Sequence, residues 1–267
     1  METVSHKTGR YASELTDEQW VLLVALLPNQ VGKVGRPMVL NLRDVLNAIF
    51  YVLRSGCQWH NLPNDYPNYK SVYYHYRKWC VDGTWERLNR AIVYLERKRQ
   101  GRLPHPSAAI IDTQSSKTTE SGGERSYDGG KKINGRKRHM LVDTLGNVLV
   151  VVVHPAGMAD CTSAKSVFER LPLMWQRRLQ LVWADGGYEG ALWVWVYTLF
   201  KIVLAIVKRS DDQMGFVVLP KRWVVERTFA WIGRYRRLSK DYEHCLKSSE
   251  GMVYAASIHL MLRRLAP

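Results

Sequence analysis

Through the first hundred residues apolar positions recur at helical spacing, and beyond about residue 105 they gather into short runs of strand length. Leu15-Thr16-Asp17-Glu18-Gln19-Trp20 reads as a helix start. Thr16 is placed to cap, and Gln19 lies three residues on, as in a capping box. This helix runs through Val21 to Leu27 and stops at Pro28. Gly32-Lys33-Val34-Gly35-Arg36-Pro37 is a glycine-rich basic loop. Asn41 or Asp44 opens a second helix whose apolar stripe is Val45, Leu46, Ile49, Phe50 and Leu53. Gly56 and Pro63 punctuate a loop, a third helix covers about 69–80 and a fourth about 84–99. Short helices with interleaved aromatics and cations are compatible with a helix-turn-helix-like DNA-binding bundle, and equally with an ordinary all-α bundle.

Residues 97–104 are charged, then contain Gly and Pro, and mark a boundary between a helical part (1–104) and a second part (105–267). In the second part 108–112 is a short buried strand, and 137–144 with 147–154 form a hairpin around the turn 143–147. A helix over 162–171, a strand over 179–184, a helix over 189–200, a strand over 202–207 and helices over 220–238 and 250–265 follow. The layout is α/β, a mixed sheet flanked by helices, preceded by an all-α domain. The stretch 191–207 is the most apolar, but Lys201 interrupts it and it is slightly short for a membrane span. It is expected to be a core helix followed by a buried strand.

Charge sharpens this picture. The chain has a formal net charge of +15 and an isoelectric point near 9.8. Residues 1–105 carry 15 Lys/Arg against 9 Asp/Glu, and residues 106–267 carry 24 against 15. The excess favours a polyanion such as nucleic acid as partner, and both parts are candidates for phosphate contact. Cys57, Cys80, Cys161 and Cys245 show no paired spacing, and Cys57-Gln58-Trp59-His60 is half a zinc site without its other half. The opening Met1-Glu2-Thr3-Val4-Ser5-His6-Lys7 has no apolar core of a signal peptide, so a cytoplasmic location without membrane contact is expected.

Three acids stand where acids are out of place. Asp112 ends the run Ala108-Ala109-Ile110-Ile111, and Asp185 ends Leu179-Gln180-Leu181-Val182-Trp183-Ala184 before Gly186-Gly187-Tyr188. Glu226 has Trp223, Phe229 and Ala230 at i−3, i+3 and i+4 on a mostly apolar helix face. Isolated carboxylates avoid such surroundings unless a cation compensates them. Displacement at a phosphodiester can be clamped by two divalent ions roughly 3.5–4 Å apart, and hard ions prefer carboxylate oxygens. Each acid also has a plainer reading. Asp112 could be a turn or cap residue, Asp185 could form an Asx-type turn, and Glu226 could pair with Arg222 one turn earlier. Jointly, two strand-end aspartates and a helical glutamate in basic surroundings are better explained as a metal triad. Asp143 fits the hairpin turn, Asp160 fits a helix cap, His139 and His154 read as structural, and Trp193 and Trp195 as packing residues.

The chain resembles bacterial insertion-sequence transposases of the DDE type, in the insertion-sequence-five branch. Leu15–Trp20, Gly35-Arg36-Pro37, Leu53-Arg54-Ser55-Gly56-Cys57-Gln58-Trp59 and Asp82-Gly83-Thr84-Trp85-Glu86-Arg87-Leu88 are similar to that family's N-terminal helical module. Ile111-Asp112-Thr113-Gln114-Ser115, Ala184-Asp185-Gly186-Gly187-Tyr188 and Arg222-Trp223-Val224-Val225-Glu226-Arg227-Thr228-Phe229-Ala230-Trp231 match its three acidic motifs. The resemblance implies a ribonuclease-H-like catalytic domain with Asp112, Asp185 and Glu226 as catalytic metal ligands for two Mg²⁺ (or Mn²⁺). It implies double-stranded DNA as partner, both terminal inverted repeats and target DNA, cleavage and strand transfer at the element's ends, and a homodimer on DNA. Around the glutamate, relatives carry Y-x2-R-x3-E-x6-K. Here the arginine and acid are Arg222 and Glu226, while Leu219 and Gly233 stand at the tyrosine and lysine places, with Arg234 adjacent.

Candidate DNA contacts are Arg36, the segment Lys131-Lys132-Ile133-Asn134-Gly135-Arg136-Lys137-Arg138, then Arg222, Arg234, Arg236, Arg237 and Lys240. Two rival readings stay open on sequence alone: a non-catalytic protein that only occupies element ends, and a ribonuclease-H-type nuclease acting on RNA or hybrids.

Overall fold

The structure, a computed structural model, describes residues 9–27, 40–120, 122–207 and 221–267. The basic loop with Arg36, and Leu219, lie outside the described residues. Helix α1 (Asp17–Val24) begins with the expected capping box: the Thr16 hydroxyl accepts from the Gln19 amide, and the Gln19 side chain accepts from the Thr16 amide. Asn41, not Asp44, caps α2 (Leu42–Ser55), accepting from the Arg43 amide at 2.8 Å. Gly56 ends α2 at φ 74°, a left-handed turn that brings its backbone against Arg236; a Cβ there would lie 2.8 Å from the Arg236 Cβ. Helices α3 (Tyr69–Val81) and α4 (Thr84–Arg99) complete the first part.

The sheet has six strands: β1 (Ala108–Lys117), β2 (Ser126–Asp128), β3 (Ile133–Asp143), β4 (Val148–Pro155), β5 (Leu181–Ala184) and β6 (Val203–Ile206). Strand β3 is antiparallel to β1, β2 and β4, while β5 is parallel to both β1 and β6. Helices α5 (Asp160–Glu169), α6 (Leu173–Gln176) and α7 (Ala191–Phe200) connect β4 to β6, and α8 (Trp223–Gly233) and α9 (Leu246–Leu265) follow. Four strands joined by antiparallel pairing, β1 to β4, and two added in parallel, β5 and β6, flanked by helices, form a ribonuclease-H-like mixed sheet. Among the described residues no helix is long and apolar enough to cross a membrane. The stretch 191–207 is a helix and an edge strand, but not the expected core helix and buried strand: α7 buries only Leu192 and Val196, and β6 only Leu204.

The ends of β1 and the course of α9 set the shape of the molecule. Strand β1 does not end at Asp112. It stays paired with β3 as far as Lys117 opposite Gly135, whereas its pairing with β5 reaches only Ile110 opposite Trp183. The parallel neighbours therefore part at their carboxyl ends, where open α/β sheets form a crevice. Helix α9 is buried along nearly its whole length between α2, α3 and α4 on one side and β4 on the other. Gly251 allows the closest approach, since a Cβ there would stand 2.4 Å from the Cys80 sulfur. One hydrophobic core consequently runs from Leu15 to Leu262. Arg97, read from sequence as part of a charged boundary, is instead buried and bonds Asp143 of the β3–β4 turn at 2.6 Å.

Candidate active site

Asp112 stands on β1 opposite Met140, two residues beyond the last pairing with β5, so it faces the opening between the two parallel strands. Its carboxylate accepts from the Thr113 amide at 2.7 Å. Asp185 directly follows β5 and caps the short turn Gly186–Tyr188, accepting from the Gly187 amide at 2.9 Å. The plain Asx-turn reading of Asp185 thus holds. A Cβ on Gly187 would lie 3.0 Å from the Asp185 carboxylate, so a larger residue there would press on that side chain. Glu226 sits one turn into α8, which packs on β1 and β3.

Glu226 corrects an expectation. The buried stripe of α8 is Val224, Val225, Thr228, Phe229 and Ile232, and the Glu226 side chain is half exposed. Trp223 and Ala230 share its exposed side, so the apolar neighbours along the sequence do not enclose it.

The three acids nevertheless meet around one atom. Arg222 Nη2 lies 3.8 Å from an Asp112 oxygen, 3.7 Å from Asp185 and 3.6 Å from Glu226. No two of these oxygens can therefore be farther apart than twice such a distance. Arg222 precedes α8 directly, which places its side chain one turn before Glu226 and beside Asp112 of β1 and Asp185 at the end of β5. The three contacts exceed hydrogen-bond length, and among the described residues the buried Arg222 Nε has no partner. Burial pushes the Asp112 carboxyl from 3.8 to about 6; the charges of Asp185 and Glu226 push the same way, against the Thr113 amide and Arg222.

Among the described residues no group of three or more His, Cys, Asp and Glu side chains is arranged to hold a metal ion as it stands. The donor chemistry still fits a hard divalent cation. Three carboxylates, from within β1, from the end of β5 and from a helix, converge, the most buried one is penalised for its charge, and a cation already stands among them.

Behind the acids is a support that sequence reading missed. The buried Tyr188 hydroxyl bonds His139 Nε2 at 2.8 Å, and His139 Nδ1 meets the Ser163 hydroxyl at 3.3 Å. Burial drives His139 well below its usual value, so a neutral imidazole anchors the turn that carries Asp185. His139 is thus structural, as its sequence context suggested. Asp160 is paired with Lys137 at 2.9 Å, and its helix is capped by Ala159, so the expected cap role is replaced by an ion pair beside the Asp185 turn.

The basic residues divide sharply. Lys131, Lys132, Arg234, Arg236 and Lys240 are exposed. Arg136, Arg138 and Arg237 are buried and leave the set of candidate DNA contacts. Arg136 bonds Asp241, Ser249 and the carbonyls of Glu124, Glu243 and His244; Arg138 bonds the carbonyls of Leu238 and Lys240; Arg237 bonds Glu243. Alternation along β3 turns Arg136 and Arg138 to the same face, where residues 238–249 accept from their terminal nitrogens. Lys137, on the other face, is mostly buried between Asp160 and Asp128. Trp193 also departs from its expected packing role, being 54% exposed, whereas Trp195 packs edge-on against Phe200. The uniformly apolar sequence of α7 carries no period from which its outward side could be read.

Two families match this chain. Residues 15–89 match one described as "Putative transposase of IS4/5 family", and residues 103–261 match one described as "Transposase DDE domain". A Burkholderia cepacia protein named "Putative transposase for insertion sequence element IS402" is 30% identical over 115 residues, 41% of this chain and 54% of that protein. Another from the same organism, "Insertion element IS402 uncharacterized 16.2 kDa protein", is 30% identical over 114 residues, 40% of this chain and 76% of its own length. The match thus spans about half the length of the first relative.

Proposed function

Because this chain belongs to the DDE-type transposases of insertion sequences, we propose that it cuts DNA at the ends of such an element and joins the freed ends to a target. Asp112, Asp185 and Glu226 are the catalytic acids in this reading. The observation that carries it is their convergence on Arg222 from three separate elements. When bound, two Mg²⁺ (or Mn²⁺) ions would supply Lewis-acid stabilisation of the attacking and leaving oxygens. The protein's own part is to hold the carboxylates. The β1–β3 pairing fixes Asp112, the Gly187 amide and the Tyr188–His139 bond fix the Asp185 turn, and the buried stripe of α8 fixes Glu226.

Residues 105–267 form the catalytic part in this proposal, and residues 1–104 contribute to DNA binding. Lys131, Lys132, Arg234, Arg236 and Lys240 contact phosphates, which positions DNA without reading its sequence. Two copies act together, because two element ends must be joined. Asp112→Ala, Asp185→Ala and Glu226→Ala should each abolish Mg²⁺-dependent nicking of a duplex carrying the element's terminal repeat, while gel-shift affinity for that duplex stays within about threefold. Metal-dependent cutting retained by any one variant removes that residue from the catalytic set.

A further inference from the structure

The guanidinium of Arg222 occupies the place where a cation is most needed, yet it is held loosely. Its Nη2 is nearly equidistant from three carboxylates at 3.6, 3.7 and 3.8 Å, all beyond hydrogen-bond length. A guanidinium committed to a carboxylate normally makes close, paired bonds, as Arg237 does with Glu243 at 2.8 and 2.9 Å in this same protein. Among the described residues Arg222 makes no such fork, and its buried Nε has no partner. Its backbone, by contrast, is fixed: the Arg222 carbonyl accepts from the Val225 amide in the first turn of α8. Only side-chain rotations separate the present position from the crevice mouth, where Glu226 is half exposed.

Three acids and one guanidinium leave the cluster short of positive charge when all are ionised. A divalent ion would satisfy it better than a single positive charge, but it cannot share the space that the guanidinium now fills. We propose that Arg222 is an exchangeable counter-ion. It neutralises the acidic cluster while no divalent cation is bound, yields its place when one enters, and then presents its planar fork to a DNA phosphate.

This inference rests on the metal-dependent reading above and extends it. Metal loading and DNA binding become coupled through one side chain, and the coupling is reciprocal. It also explains why three convergent acids do not form a metal site as they stand.

The test uses the full chain without DNA at pH 8, where Asp112 is ionised, titrated with Mn²⁺ by calorimetry. Arg222→Gln should bind Mn²⁺ roughly tenfold more tightly than the parent, because a competing unit charge is gone. Arg222→Lys keeps a cation and should stay within about twofold of the parent. Unchanged or weaker binding by Arg222→Gln overturns the exchange. If the parent binds Mn²⁺ and the variant does not gain, only the exchange fails; if neither binds, the metal-dependent reading fails with it.

A measurement on the unaltered protein guards against a variant that does not fold. Modification of Arg222 by phenylglyoxal, followed by peptide mass spectrometry, should be slow without metal and faster with saturating Mn²⁺; equal rates overturn the proposal. Finally, the ratio of duplex affinities with and without Mn²⁺ should be larger for the parent than for Arg222→Gln. Equal ratios refute the phosphate half of the exchange.

Discussion

Asp112→Asn should stabilise this protein while destroying the chemistry proposed for it. The Asp112 side chain is 15% exposed, and burial is the main reason its carboxyl titrates near 6 instead of 3.8. The folded state therefore holds this proton more tightly than the unfolded chain does. Between pH 4 and 6 the unfolded chain releases the proton first, so stability falls as pH rises through that window and levels off above it. The gap between 3.8 and about 6 corresponds to about 3 kcal/mol at pH 8. Asparagine retains an oxygen to accept from the Thr113 amide but carries no charge to desolvate. Allowing for the attraction to Arg222 that asparagine forgoes, a gain of about 1–3 kcal/mol at pH 8 is expected. Urea denaturation of the metal-free protein and Asp112→Asn at pH 8 and pH 5 reads it directly. The difference should shrink at pH 5, where the parent Asp112 is largely protonated. A variant no more stable than its parent at pH 8, or a gain equal at both pH values, would refute the reasoning. Excess Mg²⁺ should narrow the gap at pH 8 by stabilising the parent alone.

Other outcomes follow from features away from the acids. Arg97→Met strands the Asp143 carboxylate, which is wholly buried, and should cost about 3–5 kcal/mol in urea denaturation; a loss below about 1 kcal/mol would show that the turn amides of Leu145 and Asn147 suffice. Gly251→Ala forces α9 away from Cys80 and should lower stability by about 1–3 kcal/mol, read as a lower thermal midpoint, with an unchanged midpoint disproving the close packing. Replacing both Lys131 and Lys132 by Ala should weaken duplex binding of any sequence and flatten its salt dependence by about one unit of slope for each phosphate no longer neutralised; an unchanged slope clears them of a role on DNA.

The parts of this fold that are legible in the sequence are those whose cause is local. Thr16 with Gln19, and Asn41 before an amphipathic stripe, mark helix starts because the capping partners lie within three residues. Asp112 and Asp185 stand out because an apolar run ending in an acid is locally anomalous. The illegible parts depend on partners far along the chain. The polar residues Thr113 to Lys117 give no sign of strand, yet pairing with β3 extends β1 through them. Arg136 and Arg138 look like a phosphate-binding run, but the carbonyls and carboxylates of residues 238–249, about a hundred positions away, claim them. The orientation of Glu226 misleads for the opposite reason: its near neighbours in sequence are apolar, but the side of α8 that meets the sheet is a different one.

The placement of α9 has a consequence for how the protein comes into being. A ribosome releases α4 long before it reaches residue 246, and until then α2, α3 and α4 lack the helix that seals their greasy sides. At about 5–20 residues per second, that interval lasts on the order of ten to thirty seconds. Each newly made molecule therefore passes through a window in which sticking to a sibling chain competes with waiting for its own final helix.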